Sequence, residues 1–126
     1  MSKLFVLGAA AVFFVYGLLF YVIPLEAFEF VVDGSVTSSS GVTDMRATYG
    51  GMSVGIGIIL FMLGRNPQTV QLGLVSVFVV MLGMAFGRSV GMTFDGNANH
   101  YMYLYLALEL AVSFIALFLI KAGKGQ

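Results

Sequence analysis

Four stretches of this chain, 4–23, 44–63, 69–91 and 100–120, run almost unbroken in apolar residues, and no other feature limits its fold so tightly. Inside a bilayer there is no water to satisfy backbone N–H and C=O groups, so an apolar run of about 20 residues crosses only as a helix. The four runs take up most of the 126 residues. They predict an all-α fold, an integral membrane bundle of four antiparallel transmembrane helices, in a single membrane domain over 1–126 with one outer loop at 24–43. Composition agrees, with 60% hydrophobic and 10% charged residues and a mean hydropathy of +0.99, far from the half-apolar, quarter-charged soluble average.

Lys3 before the first run imitates a secretory signal, but the run is longer than a signal core and ends at Pro24 without a cleavage site, which predicts a retained helix. Between the first two helices lies LEAFEFVVDGSVTSSSGV. Its Asp33-Gly34, flanked by Val31, Val32 and Val36, reads as a hairpin turn, and its Ser-rich run as a solvated interfacial loop. Gly64-Arg65-Asn66-Pro67 reads as a tight turn that makes helices two and three antiparallel neighbours, and Thr93 to Asn99 joins three to four. Lys3, Arg65, Lys121 and Lys124 fall on one side of this topology, and Glu26, Glu29, Asp33 and Asp95 on the other. The positive-inside rule then predicts a multi-pass protein of the bacterial inner membrane with both termini cytoplasmic. Tyr16, Tyr21, Tyr101 and Tyr103 fit the interfacial depth at which tyrosine anchors a helix.

Several chemistries are disfavoured. Six Lys and Arg balance six Asp and Glu, so no basic excess draws nucleic acid. Cys is absent and His100 is the lone histidine, which predicts no metal and no cofactor. Without nucleophile, metal-ligand or nucleotide-loop spacing, the chain is expected not to be an enzyme. His100 beside Asn97 and Asn99 reads as a helix start, and Asp95-Gly96 as a turn.

What remains is a set of polar residues inside the apolar runs. In TDMRATYGGMSVGIG, a step of 100° per residue places Arg46, Tyr49, Gly50, Ser53 and Gly57 on one helix face. Gly51 and Gly55 form a G-x-x-x-G pair on the other face, and Gly83, Gly87 and Gly91 repeat that spacing on helix three; such glycines predict close helix packing within the bundle. Arg88 lies near the outer end of helix three. Glu109 lies about 16 Å into helix four by a rise of 1.5 Å per residue, near the midplane, on a stripe with Tyr101, Tyr105 and Ser113. An ionised residue there costs about 2.5–3.5 kcal/mol unless paired. The expected arrangement is therefore Arg88 satisfied by Glu109, in a polar cluster with the tyrosine hydroxyls of Tyr49 and Tyr105, while Arg46 either shares the site or snorkels to the outer surface. The cluster serves either as a structural ion pair or as a site with surplus positive charge.

These residues also carry a resemblance. A first helix ending near Pro24, Arg46-x-x-Tyr49-Gly50-Gly51 opening the second, Gly87-Arg88 late in the third, Asp95-Gly96 in the turn and Glu109 in the fourth resemble a bacterial family of small membrane proteins catalogued as domain of unknown function family 4345. The resemblance spans nearly the whole chain and implies a four-helix membrane protein. It implies no activity or cofactor.

The function expected from these features is a non-enzymatic accessory or structural subunit of a membrane assembly. Its partners would be the lipid bilayer and a membrane protein or a second copy. The alternative is a binder or transporter of a small anionic or amphiphilic molecule at the Arg/Glu site.

Overall fold

A computed structural model describes residues 1–96 and 98–123; Asn97 and Lys124, which entered the helix start and the charge asymmetry, lie outside the described residues. The described residues are all-helical, with four helices long and apolar enough to cross a membrane: Ser2–Val22, Ser39–Arg65, Val70–Phe94 and His100–Gly123. We number the elements α1 (Ser2–Val22), α2 (Pro24–Val32), α3 (Ser39–Met45), α4 (Ser53–Arg65), α5 (Val70–Phe94) and α6 (His100–Gly123). A π-helical segment, Arg46–Met52, joins α3 to α4 without a break.

The 24–43 loop is largely helical, which corrects the sequence reading. Pro24 sits in the first turn of α2, where its missing N–H costs no hydrogen bond and its fixed φ suits a helix. Burial of Pro24 and Ala27, three residues apart, holds the short helix against the bundle. Asp33-Gly34 does not turn a hairpin. Asp33 adopts the left-handed conformation, φ 57°, as the C-cap of α2, a conformation that a short polar side chain tolerates. The second span begins at Ser39 rather than Asp44, because the Ser38 hydroxyl accepts a hydrogen bond from the Gly41 N–H at 3.0 Å and so caps α3.

Packing is most extensive between α1 and α4 and between α5 and α6. The tight 64–67 turn does reverse the chain, yet α4 and α5 share a smaller contact. Close approach decides this. A Cβ at Gly17 would stand 2.7 Å from the Gly50 carbonyl oxygen, and one at Gly57 would stand 2.9 Å from the Ala10 carbonyl oxygen. At these positions backbone meets backbone, which substitutes for a hydrophobic driving force where the solvent is lipid.

The apolar core lies toward one end of the bundle, where Val6, Ala10 and Phe13 of α1 meet Leu60 of α4, Leu74 and Val77 of α5, and Ala116 and Leu119 of α6. Lys3, Arg65 and Lys121 belong to this end: Gly64 packs on Val6 and Leu7, Gly73 on Val6, and Gly123 touches Gln71. The opposite end is aromatic and polar. Phe30 of α2 meets Tyr101 of α6 with ring centroids 6.3 Å apart, and the Asn99 side-chain amide donates to the Val32 carbonyl at 3.2 Å.

Candidate functional site

Arg88 stands between one and two turns from the end of α5, and Glu109 between two and three turns into antiparallel α6, so both reach the same level of the α5–α6 seam. Arg88 Nε donates to Glu109 Oε2 at 3.0 Å and to Oε1 at 3.2 Å, and Nη2 donates to Oε1 at 2.6 Å. This fork-on-fork geometry matches the planar guanidinium to the planar carboxylate. The Arg88 side chain is 20% exposed and that of Glu109 6%, so the pair is withdrawn from its surroundings with its carboxylate deepest. Nη1 donates to Met102 Sδ at 3.1 Å, and the guanidinium carbon lies 5.3 Å from the centre of the Tyr105 ring. That cation–π contact adds to the pairing where water is scarce.

Met102, Tyr105 and Glu109 follow one another at i, i+3 and i+7 on α6, a single helix face. Sequence reasoning missed Met102, although this spacing from Glu109 would have located it. Ser113, one turn deeper, donates its hydroxyl to the Glu109 backbone carbonyl at 2.8 Å rather than to the carboxylate. Tyr101 stacks toward Tyr105 at 6.4 Å, extending the ring ladder to the end of α6. Across the bundle Tyr16 packs on Phe20, and Phe20 stacks on Tyr49, each at 5.0 Å.

Arg46 does not join the cluster. Its Nη1 donates to the Tyr21 carbonyl in the last turn of α1. The physical cause is that α1 ends at Val22, with Pro24 opening α2, so the carbonyls of its last turn, Tyr21 among them, lack a partner within the helix. A guanidinium at that helix end satisfies an orphan carbonyl and meets the negative end of the helix dipole. The π segment explains why α-helical spacing misplaced it. Buried Gly50, Ser53 and Gly57 face α1, and the residue that continues this stripe backward is buried Met45, five residues before Gly50. An α-turn would have put Arg46 there. Tyr49 is correspondingly turned out to Phe20 and Phe28.

The predicted packing glycines also divide. Gly50 is buried against Tyr21 and Gly17, and a Cβ added at Gly51 would stand 3.1 Å from the Tyr21 hydroxyl. A Cβ at Gly55, Gly83 or Gly87 would meet nothing within 4 Å, and one at Gly91 only the Asp95 carboxylate. The G-x-x-x-G spacings of α4 and α5 therefore do not pack this bundle; Gly17, Gly57, Gly64 and Gly73 do. Among the described residues no group of three His, Cys, Asp or Glu side chains is arranged to hold a metal ion.

The family profile described as domain of unknown function (DUF4345) matches residues 1–120. The chain belongs to this family. Its match takes in the first three spans, the fourth as far as residue 120, and every residue of the Arg88–Glu109–Tyr105–Met102 constellation, while the family description assigns no activity. No curated protein and no solved structure matches the DUF4345 chain.

Proposed function

We propose that this DUF4345 protein is a non-enzymatic accessory subunit of a membrane assembly and that a transmembrane helix of another membrane protein docks on α5 at Gly83 and Gly87. The observation that carries the reading is the empty space over these two glycines, where a Cβ would meet nothing within 4 Å. Small residues gain attraction from close helix approach only when a second helix is present. Beside them a groove of about 600 Å³ is lined by Val79, Leu82, Gly83, Phe86 and Leu110, and Phe86 is 72% exposed at its edge. The chain is a multi-pass inner-membrane protein in this reading, with Lys3, Arg65 and Lys121 gathered at the cytoplasmic end. The alternative, a small anionic or amphiphilic molecule at the Arg/Glu site, loses Arg46, which is engaged at Tyr21, and a simple anion there would meet a guanidinium whose charge Glu109 already balances.

The test is native mass spectrometry of the protein released from its own membranes in mild detergent, with Gly83→Leu/Gly87→Leu alongside. The expected result is a different membrane protein retained at fixed stoichiometry by the wild type and lost from the variant, whose melting temperature stays near that of the wild type because the added side chains meet open space. A homo-oligomer alone would replace the accessory reading by self-association. Monomers in both preparations, or a partner retained equally by both, would overturn docking at this face.

A further inference from the structure

At the Pro24 end of the bundle a cleft of about 430 Å³ opens between the C-terminus of α2, the last two turns of α5 and the start of α6. Arg88 and Met102 line its deeper part, and Asp33 and Asp95 its mouth. Arg88 precedes Asp95 by seven residues on one face of α5, which separates the two levels by about 10 Å at 1.5 Å per residue. The cleft is on a different face of α5 from the docking glycines: Arg88 lies about 140° around the helix from Gly83 and about 100° from Gly87 at 100° per residue, so the inference does not depend on the accessory-subunit reading.

Two features of this cleft are unusual for packing alone. Asp33 and Asp95 are the C-caps of α2 and α5, so each carboxylate sits at the negative end of a helix dipole, where a cation is the stabilising charge. Neither forms an ion pair among the described residues. Glu109, outside the cleft, balances the Arg88 charge, so Asp33 and Asp95 leave the mouth net negative, which repels a simple anion and attracts a cation there. Deeper in, Arg88 is not saturated. Of its five N–H groups, Nε and one from Nη2 serve Glu109 and one from Nη1 serves Met102, leaving one on each Nη. The arrangement thus offers acceptors at the mouth and donors about two turns below.

We infer that this cleft binds the head group of a zwitterionic lipid bearing a primary amine, with the ammonium between Asp33 and Asp95 and phosphodiester or ester oxygens toward Arg88. The order of the charges is that of such a lipid lying in its leaflet, amine outward and phosphate and esters inward. Gly91 and Met92 supply a wall between the two levels, and Phe94 beside them is exposed.

The experiment is a lipid titration of the full-length protein in mild detergent, read by native mass spectrometry. The probes are phosphatidylethanolamine, phosphatidylglycerol with the same acyl chains, and water-soluble phosphoethanolamine, each added to the wild type and to Asp33→Asn/Asp95→Asn. We expect one equivalent of phosphatidylethanolamine, bound about tenfold or more tightly than phosphatidylglycerol. In the double variant that preference should fall to about twofold or less, with helical content and melting temperature unchanged. Equal binding of the two lipids by the wild type, or an unchanged preference in the variant, would overturn the inference. Competition by phosphoethanolamine at the affinity of the whole lipid would overturn the lipid assignment in favour of a free zwitterion.

Discussion

A guanidinium between one and two turns inside an apolar helix is held there by everything that faces it: two carboxylate oxygens, a thioether sulfur and a tyrosine ring. Removing one partner is worse than removing both, because the remaining charge stays in a medium that cannot solvate it. Glu109→Gln should therefore cost on the order of 3–5 kcal/mol, and Arg88→Met/Glu109→Leu should recover much of that loss. Denaturant unfolding in detergent measures both, and a simply additive loss in the double variant would count against the pairing. Arg46 supplies the control. It caps α1 through the Tyr21 carbonyl, so Arg46→Ala should cost about 1 kcal/mol. Its effect should add to that of Glu109→Gln within about 0.5 kcal/mol, as expected of residues that share no partner. Strong coupling between Arg46 and Glu109 would restore the three-residue cluster expected from α-helical spacing.

At the scale of the elements, identical residues behave in opposite ways according to the face they occupy. Gly57 lies where the α1 backbone passes, with the Ala10 carbonyl oxygen and the Phe14 N–H nitrogen each 2.9 Å from an added Cβ, whereas Gly87 looks into open space. Gly57→Val should destabilise the α1–α4 pair by about 1–3 kcal/mol, the usual cost of overpacking. Gly87→Ala should be neutral or stabilising by up to about 1 kcal/mol through helix propensity alone. Thermal unfolding of the two variants checks both signs, and a loss at Gly87 equal to that at Gly57 would contradict the packing. This contrast also marks how far the sequence was legible. Apolar runs of bilayer length reported all four spans, since every backbone group in such a run must pair within its own helix. Glu109 and Arg88 were readable as a pair because each is too costly alone in an apolar run. Spacing could not tell which glycines face a neighbour, because G-x-x-x-G marks a surface that permits approach and not one that is approached. Nor could it show the π segment, whose five-residue step from Met45 to Gly50 turns Arg46 out of the stripe. The α2 helix was hidden for a different reason: Pro24, Asp33 and the serines are turn formers and helix caps alike, and only burial of Pro24 and Ala27 decides between them.

Across the whole molecule the two ends of the bundle divide the work. Apolar side chains fill the end that carries Lys3, Arg65 and Lys121, and the charge pair, the tyrosines and α2 occupy the other. An ion pair placed toward one end of a bundle is cheaper than one at its centre, because the cost of charge falls toward the interface. The same end receives the acidic residues Glu26, Glu29, Asp33 and Asp95, so the molecule is polar along its axis although its formal net charge is zero. That polarity predicts a topology that can be tested directly, since the chain has no native cysteine to interfere. Thr37, between α2 and α3, and Gln68, between α4 and α5, are both exposed and lie at opposite ends of the second span. With Lys and Arg retained on the cytoplasmic side, Thr37→Cys should react with a membrane-impermeant maleimide added to intact cells stripped of their outer wall, and Gln68→Cys only after the membrane is opened. The reverse pattern would invert the orientation and put the Arg88 cleft on the cytoplasmic leaflet. Reaction of both from one side would mean that the Ser39–Arg65 helix does not cross, and the charge asymmetry between the two ends would then need a cause other than insertion.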